Sequence, residues 1–332
     1  MKKRIIFILG FYGIFSSCST DFEINAPYKE TIVVYGLLNT LDTAQFIRIS
    51  KAYLGEGNAL VMAQEPDSIN YADILDVKME RWQSENGPVL ETFSLQRTDT
   101  IPKDEGIFAA PYQVYYRTNH PISDDGSLYK LVVTNRSNGN IASSITRIVG
   151  DVFQGTPIAN NVDFATRFFI TVRFTPGDNS NVADMIIRFH YTETDTLGNV
   201  TQHFVDWNFP EQAYSNAGSG EVEFKYFRPD FFEILGNTIP QTPGVIRRLD
   251  NLAPGYKPIE FRFIVGSEDL YTYEQLTRPG SGVVQDRPLF TTMQNGVGLF
   301  TSRLIHSEVR NLTVNTVSAL DTSVFTRDLN FQ

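Results

Sequence analysis

Cys18 is the only cysteine in 332 residues. One thiol excludes an intrachain disulfide framework and a cysteine-based zinc site. Basic residues are in deficit. Lys and Arg number 28 against 38 Asp and Glu, for a net charge of -10. That balance argues against a general nucleic-acid binder. Long apolar runs are missing too. The run Ile5 to Phe15 has eleven residues, which as helix would reach about 16 Å, roughly half a bilayer core. No Gly-x-Ser-x-Gly elbow is present, so an α/β-hydrolase nucleophile is not expected. Gly218-Ser219-Gly220 and Pro279-Gly280-Ser281-Gly282 read as loops, and neither follows a strand and opens a helix as a phosphate cradle must. No fixed-period repeat and no low-complexity tract appears.

What is present is apolar and aromatic. Hydrophobic residues make up 42% of the chain, enough for real cores, which excludes wholesale disorder. The 25 Phe and 15 Tyr lean toward strands. The length suggests two domains of about 150 residues each.

The N-terminus carries an address. Lys2, Lys3 and Arg4 precede the apolar run, and Ser16, Ser17 and Cys18 follow it. Charge, then apolar residues, then small residues at a cut site is the layout of a secretory leader. Ser16-Ser17-Cys18 resembles a bacterial lipobox, with Phe15 where the pattern usually has an aliphatic residue. The expectation is a leader over 1–17 and lipid attachment at Cys18. Anchorage by more than one acyl chain is lasting. The leader holds three of the basic residues and no acidic one. The remaining body is therefore more acidic still, anionic lipid would repel it, and the lipid must hold it to the membrane. Ser19 after the cysteine resembles the outer-membrane sorting pattern.

Residues 18–30 read as a tether. Strand-like runs then follow at Glu30 to Leu38, Ala44 to Tyr53, Asp76 to Trp82, Tyr112 to Arg117, Leu128 to Thr134 and Ile141 to Val149. Short strands with such turns suggest an immunoglobulin-like sandwich. After a junction at Gly150 to Asn161 come strands at Arg167 to Thr175, Met185 to Thr194, Val200 to Phe209, Glu221 to Tyr226 and Ile259 to Val265. Two short helices are expected. One runs from Asp230 to Leu235 and ends at Gly236, and the other runs from Ser267 to Thr277 with Ser267 as N-cap. The fold expected is mainly β: an N-terminal immunoglobulin-like β-sandwich over 31–150, then a second β-rich sandwich over 151–332 with one or two short helices.

Two stretches carry a family likeness. They are Val33-Val34-Tyr35-Gly36-Leu37-Leu38 through Ile47 to Tyr53, and Glu268-Asp269-Leu270-Tyr271-Thr272-Tyr273 through Asn295 to Phe300. Both resemble the bacterial outer-membrane lipoproteins of domain-of-unknown-function family 4249. The resemblance implies an outer-membrane lipoprotein with an immunoglobulin-like N-terminal part and, as partner, a TonB-dependent receptor. It implies no catalytic residues.

Plainer roles compete for the remaining candidates. If Asp195 pairs with Val200, His190 and His203 become diagonal neighbours on one hairpin face, near enough to share a metal. No third ligand accompanies them, so no metal is expected, and both read as partly exposed strand histidines. Asp178-Asn179-Ser180-Asn181 with Asp184 has oxygen ligands but lacks the spacing of a calcium loop, and reads as a hairpin turn. Carboxylates are abundant, yet nothing singles out a catalytic pair. Asp42-Thr43-Ala44, Asp67-Ser68-Ile69, Asp99-Thr100-Ile101 and Asp195-Thr196-Leu197 resemble Asp-Ser/Thr-apolar O-glycosylation acceptors. Thr43, Ser68, Thr100 and Thr196 are all expected in turns or loops. Tyr112, Tyr115 and Tyr116, like Tyr271 and Tyr273, suit sugar stacking or core packing, and alternation leaves both open. The expected function is that of a non-enzymatic, cofactor-free binding or accessory lipoprotein that works with a TonB-dependent receptor in nutrient capture, held to the outer membrane on its periplasmic or surface face. The alternatives are an envelope glycan-active enzyme and a structural surface protein or adhesin.

Overall fold

The computed structural model describes residues 30–52, 59–110, 112–154, 159–166, 168–214, 220–278 and 289–332. The leader, Cys18, nearly all of the tether, Gly218, Ser219 and residues 279–282 lie outside the described residues. The chain is mainly β and built of several sheets with the character of a sandwich.

Eight strands form the first half: β1 (Thr31–Leu38), β2 (Gln45–Ala52), β3 (Leu75–Trp82), β4 (Val89–Ser94), β5 (Gln96–Pro102), β6 (Tyr112–Thr118), β7 (Leu128–Asn135) and β8 (Ile141–Arg147). Two four-residue helices, α1 (Ala59–Met62) and α2 (Pro66–Ile69), lie between β2 and β3. One set of neighbours runs β1-β2-β6-β5 and the other β4-β3-β7-β8. Alternation decides which faces meet. Ile32, Val34, Ile47, Ile49 and Tyr116 from the first sheet share a core with Val77, Met79, Leu131 and Val133 from the second. Fully burying each such aliphatic side chain contributes about 1.5–3 kcal/mol. β4 and β5 were not anticipated, because their exposed, polar composition hides the period of two.

The second half contains β9 (Phe153–Gln154), β10 (Asn161–Val162), β11 (Phe169–Thr175), β12 (Val182–Thr194), β13 (Val200–Asn208), β14 (Gln212–Ala213), β15 (Val222–Phe227), β16 (Ile246–Arg248), β17 (Ile259–Gly266) and β18 (Gly296–Leu312). Its helices are α3 (Asp230–Thr238), α4 (Glu268–Thr277) and α5 (Val314–Thr322). β12 pairs with β13 on one side and with β17 on the other. A three-stranded sheet, β15-β11-β9, supplies the other layer. Phenylalanine fills the space between. Phe164 stacks on Phe231 at 4.1 Å between centroids, and Phe174, Phe224, Phe261 and Phe263 complete the cluster. Core residues through Ile148 belong to the first cluster and those from Val149 onward to the second, except Met293 and Phe300, which return to the first.

That return is the work of β18. Its first half pairs in parallel with β1, from Ile32↔Gly296 to Leu38↔Ser302. Its second half pairs antiparallel with β17, from Gly266↔Arg303 to Ile259↔Arg310. The two stretches that carry the family likeness therefore meet as neighbouring strands.

Several local expectations are corrected. α3 runs through Gly236 to Thr238, and Asp230 is not its cap. A Cβ on Gly236 would lie 2.4 Å from the Phe325 carbonyl oxygen, so this glycine permits close helix packing rather than ending the helix. Ser267 does cap α4, accepting from the Leu270 amide at 3.2 Å. α5 was not anticipated; Thr313 caps it by accepting from the Thr316 amide. The turn at 178–181 joins strands of different sheets, so it is not a hairpin.

Candidate functional site

The face of β1, β2 and β6 turned away from the first core is the floor of a cleft of about 610 Å³. Strand register sets its order. Tyr35 lies beside Leu299 of β18 on one flank and Arg48 of β2 on the other, and Arg48 in turn lies beside Tyr115 of β6. The row is thus Leu299, Tyr35, Arg48, Tyr115, all on one pleated face because each is paired directly with the next. Phe46, two residues from Arg48, meets Tyr115 edge-on at 6.2 Å, and the Arg117 guanidinium lies 5.6 Å from its ring centroid.

Helix α4 is the wall. It contributes Leu270, Tyr273 and Glu274. The Tyr273 ring packs edge-on to Tyr35 at 6.3 Å. Burial and the neighbouring Tyr35 hydroxyl push the Tyr273 phenol up to about 12, so it stays a neutral donor. At the rim, Gln45 donates from Nε2 to the Asn39 carbonyl at 2.8 Å and accepts from the Asn39 amide at 3.1 Å. Asp42 accepts from Asn39 Nδ2 at 2.9 Å. These bonds fix the β1–β2 loop. Arg48 and Arg303 complete the lining, and among the described residues neither guanidinium makes an ion pair or hydrogen bond.

Behind Glu274 lie two more carboxylates that sequence reasoning did not bring together. They come from separate elements: Asp184 from β12 and Glu211 from the residue before β14. Glu211 accepts from Arg278 Nη2 at 2.8 Å and from Gln275 Nε2 at 3.1 Å. Burial, a hydrogen bond to Glu211 and the charges of Glu211 and Asp184 raise Glu274 to about 7, against the pull of Arg278. Burial and the charge of Glu211 raise Asp184 to about 6, against the pull of Arg303.

Both acids hold their protons more tightly folded than unfolded. The stability they contribute is fully present below their ordinary values. It is lost as pH rises through about 6 and about 7. Wild-type Tm should therefore fall between about pH 5 and pH 8, and Glu274→Gln should flatten that fall. Differential scanning fluorimetry across this range checks it; equal slopes for the two proteins would sink the assignment.

Tyr115 and Tyr273 face the cleft, whereas Tyr116 is buried in the first core. The histidine expectation is corrected. The hairpin pairs Thr194 with Val200, one residue away from the expected register, so His190 faces Phe204 and His203 faces Tyr191. The turn chemistry sets this: Asp195 Oδ1 accepts from the Leu197 and Asn199 amides, with Gly198 at φ 85°. The slip places the imidazoles on opposite faces. His190 is not partly exposed but buried, 2.9 Å from Glu260, whose carboxyl this bond holds down to about 2. Thr43 and Thr196 lie in exposed turns as expected, but Thr100 sits in β5 and Ser68 is buried in α2. Among the described residues no three His, Cys, Asp or Glu side chains form a metal-binding group, and no helix is long and apolar enough to cross a membrane.

No family model matches the chain, and no curated protein matches it. Among solved structures, trypsin-activated alpha-2-macroglobulin from Escherichia coli aligns at 8% identity over 72% of this chain, with a TM-score of 0.17. The chain spans 14% of that protein's length. At that TM-score the likeness carries no argument.

Proposed function

We propose that this protein is a lipid-anchored outer-membrane module that binds a ligand in the cleft and works beside an outer-membrane receptor. The observation that carries the reading is the cleft itself. Aromatic rings converge there on a sheet face with two guanidinium groups, of which Arg48 has no ion pair or hydrogen bond among the described residues, the combination expected of a binding site. The leader-like N-terminus and Cys18 support the anchor, and the likeness to family 4249 supports the partner class. The strand order 1-2-6-5 beside 4-3-7-8 supports the immunoglobulin-like reading, since it matches strands A-B-E-D and C′-C-F-G of that fold.

Cys18→Ser is expected to move the protein from the membrane pellet to the soluble fraction and to remove the acyl mass. Retention in the pellet after a carbonate wash would count against the anchor. Affinity purification of the native protein from gently solubilised membranes tests the partner: stoichiometric recovery of a receptor supports it, and recovery of the protein alone opposes it.

One observation favours a second reading, an envelope glycan-active enzyme. Glu274 lines the cleft and keeps its proton near neutral pH, as a general acid does. Turnover of a glycan by the wild type that Glu274→Gln abolishes would favour the enzyme.

A further inference from the structure

Resting on the reading that the cleft is the binding site, we propose that its ligand is a saccharide bearing a carboxylate, with Arg48 taking the acid group and the surrounding tyrosines taking the sugar rings. Arg48 sits in the middle of the floor, directly between Tyr35 and Tyr115 on the adjacent strands. Side chains paired this way stand about 5 Å apart at Cβ, so the Arg48 side chain leaves the sheet between those of the two tyrosines. It has no partner among the described residues. Scarcity of acid does not explain that, because Asp and Glu outnumber Lys and Arg by 38 to 28. A second guanidinium, Arg303, lines the same space, and its charge also bears on Asp184 behind the wall. Guanidinium forks match carboxylates in geometry and in charge.

The class of molecule follows from what the floor presents. β1 and β2 are paired on both sides within the sheet, β1 by β18 and β2, β2 by β1 and β6. Their backbone donors and acceptors are engaged in those ladders. A peptide laid on this face would find no main-chain edge to extend, which is the usual basis of extended-peptide recognition. What remains is read by side chains alone: ring faces from Tyr35, Phe46, Tyr115 and Tyr273, and planar cations. Pyranose C–H faces stack on such rings, and ring hydroxyls suit the remaining groups. Asp42 is an acceptor at the rim. Glu274 shares its proton with Glu211 and holds it up to about 7, which reduces the negative charge that this wall sets against an acidic ligand.

The test is isothermal titration of the full-length, detergent-solubilised lipoprotein. The probes are hexa-galacturonate, a glucuronate-containing hyaluronan hexasaccharide, methyl-esterified hexa-galacturonate, neutral maltohexaose and hexaglutamate. At least one uronate is expected to bind. Methyl esterification or Arg48→Gln should weaken it about tenfold or more, as loss of a charge-assisted contact does. Arg48→Lys should recover part of that loss, because it restores charge without the fork. Each variant is accepted only with an unchanged circular dichroism spectrum and Tm. Binding of neither uronate overturns the proposal. So does uronate binding that Arg48→Gln and Tyr115→Ala leave intact, or hexaglutamate binding as strong as the uronate's. Maltohexaose or methyl-ester binding equal to the uronate's, lost in Tyr115→Ala, overturns the acid specificity but leaves the cleft standing as the binding site. The two failures are thereby told apart.

Discussion

Arg247→Ala is expected to destabilise the second half by about 3–5 kcal/mol, the range seen when one partner of a buried ion pair is removed. Arg247 is fully buried. Its guanidinium spends every arm: Nε donates to Glu193 at 2.8 Å, Nη1 to the Leu329 carbonyl at 2.6 Å and Nη2 to the Pro240 carbonyl at 2.8 Å. Its backbone accepts from the Gln332 amide and donates to the Asn330 carbonyl. One side chain therefore ties β12, the loop after α3 and the C-terminal tail together. Alanine would leave Glu193 and two carbonyls without their donor and would open a cavity the size of the lost side chain. Urea unfolding followed by circular dichroism measures the effect. A loss under about 1 kcal/mol would show that the bonds contribute little net stability. Pairing Arg247→Met with Glu193→Gln should recover part of the loss, because no orphaned charge then remains.

The second large effect is expected at Gly298. This residue has φ +118°, and a Cβ there would lie 1.9 Å from the Val34 carbonyl oxygen. The obstacle is backbone on the paired strand β1, which cannot swing aside as a flexible side chain would. Gly298→Ala thus combines conformational strain of about 1–3 kcal/mol with a clash that must push β1 and β18 apart. A total of about 3 kcal/mol or more is expected, enough to threaten folding of a marginally stable chain. Gly126→Ala is the control. Gly126 also has positive φ, at 83°, but a Cβ there meets nothing within 4 Å. It should show strain alone, about 1 kcal/mol. Equal urea midpoints for the two variants would refute the close-approach account.

Strands whose side chains alternate clearly were legible in the sequence. Residues 31–38 and 45–52 read as strands because Val, Ile and aromatic residues alternate across a half-buried surface, and both form within one or two residues of the expected bounds. The cap of α4 was legible for a local reason, a serine followed by acidic residues. What sequence could not reveal was non-local. Nothing local announces that residue 48 stands between residues 35 and 115, since that follows from pairing across three strands. The same holds for Asp184, Glu211 and Glu274, drawn together from β12, the approach to β14 and α4. The hairpin histidines failed differently. The turn residues and the strands beside them were legible, but Asp195 closes the turn rather than extending the strand, which lengthens the loop by one residue, and one residue of register reverses the face of everything beyond it. Arg48 carries no signal in the sequence, since whether a base is paired is itself a three-dimensional fact.

The closing role of β18 has a consequence for how the protein is made. Ser302 donates to the Leu38 carbonyl at 3.0 Å, and 264 residues separate the two in sequence. β1 therefore waits for nearly the whole chain before its second edge is covered. Contacts of such separation slow folding, because a large loop must close before they reward it. Until then β1 offers an open, apolar strand edge, a template for wrong pairing. A chain lost after residue 295 would keep most of its first sandwich yet leave that edge permanently bare. Arrival of β18, rather than completion of either half, is the event that seals the first strand.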